Sequence, residues 1–238
     1  MVEQIYFNKK YSYDDFGLLL VESPIISNVY EDVETIVVPG RSGSLTKRLG
    51  TYKDRTIKTK FKLVDTDKYI YEETLIYIVD WLNNIKDTQL TINESDYSYK
   101  VKKIEIGDIQ RELDWYGDFE VIFTCEPFKY GFKQHKSISQ SKNVFYLGTV
   151  ETSPILKVFG NGDMDITLGD TTFILKGIVD SITIDCDRGL CYKIEDGVYN
   201  NLNKKMNGEY PKIKPGINNL SWLGDISKIE MSYEIKYL

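Results

Sequence analysis

The sequence predicts a mainly β protein of two β-sandwich domains, the N-terminal one carrying one α-helix. Three observations carry this. Residues 55–64, RTIKTKFKLV, place Ile57, Thr59, Phe61 and Leu63 on one face and Lys58, Lys60 and Lys62 on the other, the period of a half-buried strand. A single segment has helical spacing. Beyond residue 145, short apolar runs are divided by Gly and Asp clusters, the pattern of a second all-β sandwich.

Taken in order, an N-terminal strand region leads to VPGRSG at 38–43. Its Pro39, Gly40 and Gly43 specify a turn, and Arg41 stands on it. The alternating strand 55–64 follows. A helix is predicted over about 67–85, because Tyr71, Leu75, Ile78, Val79, Leu82 and Ile85 recur every three or four residues and Asp67 suits its N-cap. One helix among many strands implies a helix laid across a sheet. YSYKVKKIEI and DFEVIFTCEPF return to strand, with Phe119, Val121, Phe123 and Cys125 on one side and Pro127 ending the pairing. Residues 136–145, KSISQSKNVF, are polar and Ser-rich and read as a linker. The expected domains are therefore 1–135 and 146–238. The second is expected to contain PILKVFG, NGDMDITLGD, TFILKG, SITIDCDRGLCYKI, KPGINNLSW and KIEMSYEIKYL as separate strands.

Composition excludes several functions. The net charge is −6, and neither half has the basic excess that a phosphate backbone demands; nucleic acid is not an expected partner. No run approaches the roughly 20 apolar residues of a membrane span. The opening MVEQIYFNKK lacks the apolar core of a signal peptide. Cys125, Cys186 and Cys191 are an odd count, unlike a secreted disulfide framework, so synthesis in a reducing cytoplasm is expected.

Candidate chemistry is sparse. His135 is the one histidine, and no G-x-S-x-G or similar nucleophile motif accompanies it. GRSGS lacks the G-x-x-x-x-G-K-[ST] spacing of a phosphate loop. Asn161, Asp163 and Asp165 alternate like the start of a calcium loop, but Ile166 replaces its glycine and Thr172 its bidentate glutamate. Cys186 and Cys191 flank DRGL, a hairpin loop that places two thiols across from each other; packed reduced thiols and a disulfide both fit. No enzyme, no cofactor and no metal site is expected.

The features, read in order, resemble a known layout. VPGRSGSLTKRLGTYKDRTIKTKFKL, a helix ending near WL, GDFEVIFTCEPFKY, TSPILKVFGNGD and GEYPKIKPGIN follow one another as in the distal tail proteins of long-tailed bacteriophages that infect Gram-positive bacteria. Similar layouts occur in baseplate parts of phage-tail-like bacteriocins. The resemblance covers nearly the whole chain. It implies an N-terminal ring-forming domain and a C-terminal domain like galectins and carbohydrate-binding modules. It also implies a hexameric ring at the virion tail tip or baseplate, made in the bacterial host cytoplasm. Implied partners are the tail tube protein, the end of the tape-measure protein, the tail-associated tip protein and the receptor-binding apparatus.

Within that frame, the loop 38–54 and the strand 55–64 are the candidate contact between subunits. Pro39, Gly40 and Gly43 shape a loop that reaches out, while Arg41, Lys47, Arg48, Lys53 and Arg55 give it local positive charge. The alternative is a carbohydrate-binding module pair contacting host cell-wall glycans, for which Tyr192, Tyr199 and Trp222 are the candidate aromatics.

Overall fold

The computed structural model describes residues 3–63, 68–93, 95–107 and 118–238, with backbone alone for 68–71. The chain divides into two compact units, Met1–Lys129 and Tyr130–Leu238. Both are mainly antiparallel β, as expected, and among the described residues the first carries two α-helices where the sequence suggested one.

In unit 1 the elements are β1 (Ile5–Phe7), β2 (Lys10–Tyr11), α1 (Ser12–Phe16), β3 (Leu18–Leu20), β4 (Ile25–Ile26), β5 (Glu31–Val37), β6 (Ser44–Tyr52), β7 (Arg55–Leu63), α2 (Lys68–Asn83), β8 (Gln89–Ile92), β9 (Ser98–Ile106) and β10 (Asp118–Cys125). Pairing runs β2–β1–β8–β9–β10–β7, and β3 and β4 both pair with β7. Along strand β9, Ser98–Lys100 pair with β8, and the residues from Val101 onward pair with β10. The sheet thereby folds over itself, and the rings of Phe7 on β1 and Phe123 on β10 meet at 5.6 Å. The alternation of β7 buries Ile57, Thr59, Phe61 and Leu63 as the sequence predicts, and it also buries Arg55. Strand β10 buries Phe119, Val121, Phe123 and Cys125.

Helix α2 presents Ile78, Trp81 and Leu82 to this core. The expected cap Asp67 and the side chain of Tyr71 lie outside the described residues. Trp81 was not among the periodic positions, yet it closes the helix onto the sheet: its indole Nε1 donates to the Phe7 carbonyl at 2.8 Å, and its ring lies 4.8 Å from that of Phe16. Asn8 ties down the end of the helix. Its amide nitrogen donates to the carbonyls of Trp81 and Asn84 at 2.9 and 2.8 Å, and its oxygen accepts from the N–H groups of Lys86 and Asp87. Orphan carbonyls at a helix end are thus satisfied by one side chain.

Unit 2 holds all but the first residue of β11 (Lys129–Ile138), together with β12 (Lys142–Tyr146), β13 (Ile155–Leu168), β14 (Thr171–Ile178), β15 (Ser181–Asp185), β16 (Leu190–Glu195), β17 (Val198–Asn201), β18 (Met206–Asn207) and β19 (Gly216–Tyr237). One layer is β17–β16–β15–β13–β19. The other is β12–β19–β13–β14–β18. Strands β13 and β19 run through both, enclosing Leu156, Val158, Ile166, Leu168, Phe173, Ile184, Leu220 and Ile229.

Two expectations need correction here. PILKVFG and NGDMDITLGD form one 14-residue strand, and KPGINNLSW and KIEMSYEIKYL fall within one strand of 22 residues. The glycines that looked like strand ends instead mark a bend, where the register shifts between Phe159/Gly160 and Asn161/Asp165. A Cβ on Gly160 would overlap the Asp225 carbonyl, and one on Gly224, at φ 105°, would stand 2.6 Å from the Asp163 carbonyl. Only glycine lets the two backbones cross so closely.

The linker 136–145 is mostly strand, in β11 and β12. Ile138, Val144 and Tyr146 point into the core of unit 2, and the polar letters alternate outward. The units meet at 129/130, close to Pro127, six residues before the expected boundary. Tyr146 fastens the segment, donating to the Val150 carbonyl at 2.9 Å and accepting from the Lys236 N–H at 2.8 Å.

Candidate subunit interface

The segment 31–52 forms a two-stranded ribbon. Strands β5 and β6 pair in register from Val33↔Arg48 to Val37↔Ser44, and they form a sheet of their own. The turn 38–43 is closed by the Arg41 N–H donating to the Val38 carbonyl at 3.2 Å. Gly40 and Gly43 adopt φ of 82° and 80° in open space, so conformation alone demands glycine there. Every residue from Val33 to Thr51 is exposed. Cross-strand pairing puts Val33, Thr35 and Val37 on one face and Ile36 with Leu45 on the other. Val37 is 77% exposed. Both faces thus carry apolar side chains with no core beneath them, and a lone two-stranded hairpin is at best marginally stable in water.

The charges on the ribbon are largely spent within it. Arg48 meets Glu31 at 3.1 Å, Lys47 meets Glu34 at 3.5 Å and Lys53 meets Asp32 at 3.8 Å. These exposed pairs contribute up to about 1 kcal/mol each. The predicted local positive excess is therefore mostly offset by carboxylates of β5. Arg41, at the tip, has no ion-pair partner among the described residues. Below the ribbon, Tyr52 packs edge-on against Phe128 at 5.7 Å, and Lys102 holds Asp54 at 2.7 Å.

Arg55 departs from its expected role. It is 5% exposed, because it continues the inward face of β7. Its guanidinium stacks over the Tyr99 ring at 5.5 Å, and its Nε has no hydrogen-bond partner among the described residues. Burial pushes the neighbouring Cys125 thiol up to about 12, with the Arg55 charge opposing the shift. Burial likewise raises the Tyr99 hydroxyl against the same charge. Arg55 belongs to the interior of unit 1 and cannot line the ribbon.

In unit 2, Tyr192 on β16 and Tyr199 on β17 stack, with ring centroids 5.1 Å apart and planes 28° from parallel. Tyr199 is half exposed. Trp222 does not join them: it sits opposite Ile166 on the inward face of β19 and packs against the core. Cys186 and Cys191 are buried free thiols. The hairpin closes at Asp185↔Leu190, which sets Cys191 opposite Ile184 and leaves Cys186 in the turn; the thiols are not directly opposed as expected. The Asp163 carboxylate accepts from the Gly177 N–H at 2.8 Å, and the Asn161 side chain from the Asp180 N–H at 3.0 Å. Those side chains brace turns. Among the described residues, no group of three His, Cys, Asp or Glu side chains gathers to hold a metal, and no helix is long and apolar enough to cross a membrane.

The free-standing ribbon was missed as an element because neither strand has a buried face to impose a period. No family model and no curated protein matches the sequence. Among solved structures, the chain is similar to the Dit (gp 19.1) protein of phage SPP1, described as a paradigm of the hub adsorption apparatus in phages that infect Gram-positive bacteria. The likeness has a TM-score of 0.75 at 14% identity and covers 100% of both chains. The chain has the fold of a phage hub protein. The baseplate of phage P2 in its activated conformation with Ca is a second likeness, with a TM-score of 0.52, 9% identity, and coverage of 99% of this chain and 98% of that one. The same baseplate with Sr gives 0.51 at 10% identity, with 98% of each chain covered. The hub fold is thus shared end to end while nearly all side chains differ.

Proposed function

We propose that this chain is a structural hub of a phage-type tail tip or baseplate, assembled from identical copies through unit 1. The observation that carries the reading is the ribbon: an apolar, two-faced element uncovered within its own unit, on a chain whose full-length fold is that of a hub protein. A head-to-tail contact joins two different patches, and it closes into a ring when the rotation between subunits fits. The ribbon is one such patch. A neighbouring copy covers Val33, Ile36, Val37 and Leu45, and Arg41 at the tip fixes orientation by meeting a carboxylate there. A hexamer is the stoichiometry this reading adopts. The ring then joins the tail tube and the end of the tape measure on one side to the tip protein and the receptor-binding apparatus on the other. The role is architectural, without catalysis.

Replacing Arg41 with Glu and weighing the purified protein by mass photometry tests the contact. The expected outcome is a shift from oligomer to smaller species at the same concentration; an unchanged mass distribution would deny the turn a role in assembly.

The stacked Tyr192–Tyr199 pair favours a second reading, in which unit 2 contacts host-wall glycans through an aromatic face. A glycan array probed with wild type and with Tyr199→Ala separates the two. Binding that the substitution abolishes supports a glycan role, and no binding by wild type removes it.

A further inference from the structure

Helix α2 has a second face that the core of unit 1 does not use. Its inward side presents Ile78, Trp81 and Leu82. On the opposite side Glu73, Ile76, Tyr77 and Asp80 recur every three or four residues and so form one stripe. The outward side of such a helix ordinarily carries charged and polar residues. Here Ile76 is 69% exposed and Tyr77 58% exposed, at the centre of the stripe. The Tyr77 hydroxyl donates to the Glu73 carboxylate at 3.4 Å, which draws its ring along the helix surface.

The charge beside this apolar pair has one sign. From Glu72 to Asn83 the helix holds three carboxylates and no lysine or arginine. Neither Glu73 nor Asp80 has an ion-pair partner among the described residues. The ribbon is the complement. Arg41 stands on its turn without an ion-pair partner among the described residues, and behind it Ile36 and Leu45 oppose each other on one face, each 39% exposed. The lengths agree as well. Glu73 to Asp80 spans about 10 Å of helix, and Arg41 and Leu45, four residues apart, are separated by at most about 14 Å. Two other exposed apolar pairs in unit 1 fit less well. Ile25 on β4 is in register with Lys58 of β7, whose charge repels Arg41. Beside Tyr11 and Tyr13, Asp14 already accepts from the Gln4 amide and Asp15 from the Tyr11 N–H.

We propose that the outer face of α2 seats the ribbon of a second copy of this chain. Ile76 and Tyr77 cover Ile36 and Leu45 of the neighbour, and the carboxylates of Glu73 and Asp80 receive its Arg41. The inference rests on the assembly reading and supplies its other half. A head-to-tail ring needs two different patches on every copy, so each chain gives its ribbon on one side and takes a ribbon on α2 at the other. Apolar cover holds the contact together, while the charges set its register and exclude the wrong face.

Sedimentation velocity on the full chain tests it, with wild type, Arg41→Glu, Glu73→Lys combined with Asp80→Lys, and all three changes together. The α2 pair should weaken the oligomer at least about tenfold, roughly 1.4 kcal/mol, as Arg41→Glu should. The triple variant exchanges the signs across the contact and should return to within about threefold of wild type; that rescue also shows that both altered surfaces are folded. Ile76→Ser combined with Tyr77→Ser should shift the oligomer to smaller species while circular dichroism stays as in wild type. A wild-type oligomer that withstands both α2 variants, or a triple variant no tighter than Arg41→Glu, overturns this docking face and leaves the ribbon reading standing. A wild type that stays monomeric overturns both.

Discussion

Asn8 shows how much one side chain settles. At φ 48° it takes the left-handed conformation that asparagine tolerates, and its amide serves four backbone groups around the end of α2. Asn8→Ala should therefore lower stability by about 2–3 kcal/mol, read from urea unfolding, since those groups lose their partner and alanine is strained there. Nothing in FNKKY announces this, because the partners lie more than 70 positions away. Arg55 was unreadable for a related reason: charge argued for the surface, while the alternation of β7 carried it inward. The buried thiol of Cys125 sets a pH dependence. Its pKa rises from 9.0 to about 12 in the folded chain, so between those values the folded state holds more protons than the unfolded one. Stability is fully present below about pH 9 and falls as pH rises toward 12, by up to about 1.4 kcal/mol per unit from this group. Unfolding at pH 8 and pH 10 should show a smaller alkaline loss in Cys125→Val than in wild type.

Elements were legible where one face is buried. Strand β7 could be assigned residue by residue, and β10 likewise, since core and solvent impose a period of two. The helix was legible from its 3.6 period, though Trp81 was not, its role being set by Phe7 and Phe16. The bent strands β13 and β19 were cut in two because glycine reads as an end in sequence and serves as a crossing in space. Gly160→Ala should cost about 2–4 kcal/mol, as its Cβ meets the backbone of Asp225; a melting temperature unchanged from wild type would mean the bend has room that the geometry denies. The polar stretch 136–145 misled in a similar way. Ser137 faces outward from β11 and Ser139 and Ser141 sit in the exposed connection to β12, while Ile138 and Val144 face the core.

At the scale of the molecule, composition and periodicity sufficed for the mainly β class, and the ordered segments VPGRSG, CEPFKY and GEYPKIKPGIN pointed to the hub fold. The ribbon's independence was out of reach, because an element with no buried face in its own unit leaves no amphipathic signature in the sequence. That inversion is the centre of the proposal: side chains exposed in one copy, Val37 and Leu45 above all, would become core residues of the proposed assembly. Charging them should leave the isolated fold within about 0.5 kcal/mol of wild type, as for other surface changes. The decisive measurement is mass photometry of wild type beside Val37→Glu combined with Leu45→Glu. The account predicts a closed oligomer for wild type, six times the 27.6 kDa chain, and folded monomer for the variant; a wild-type monomer, or a variant that assembles as wild type does, would contradict it.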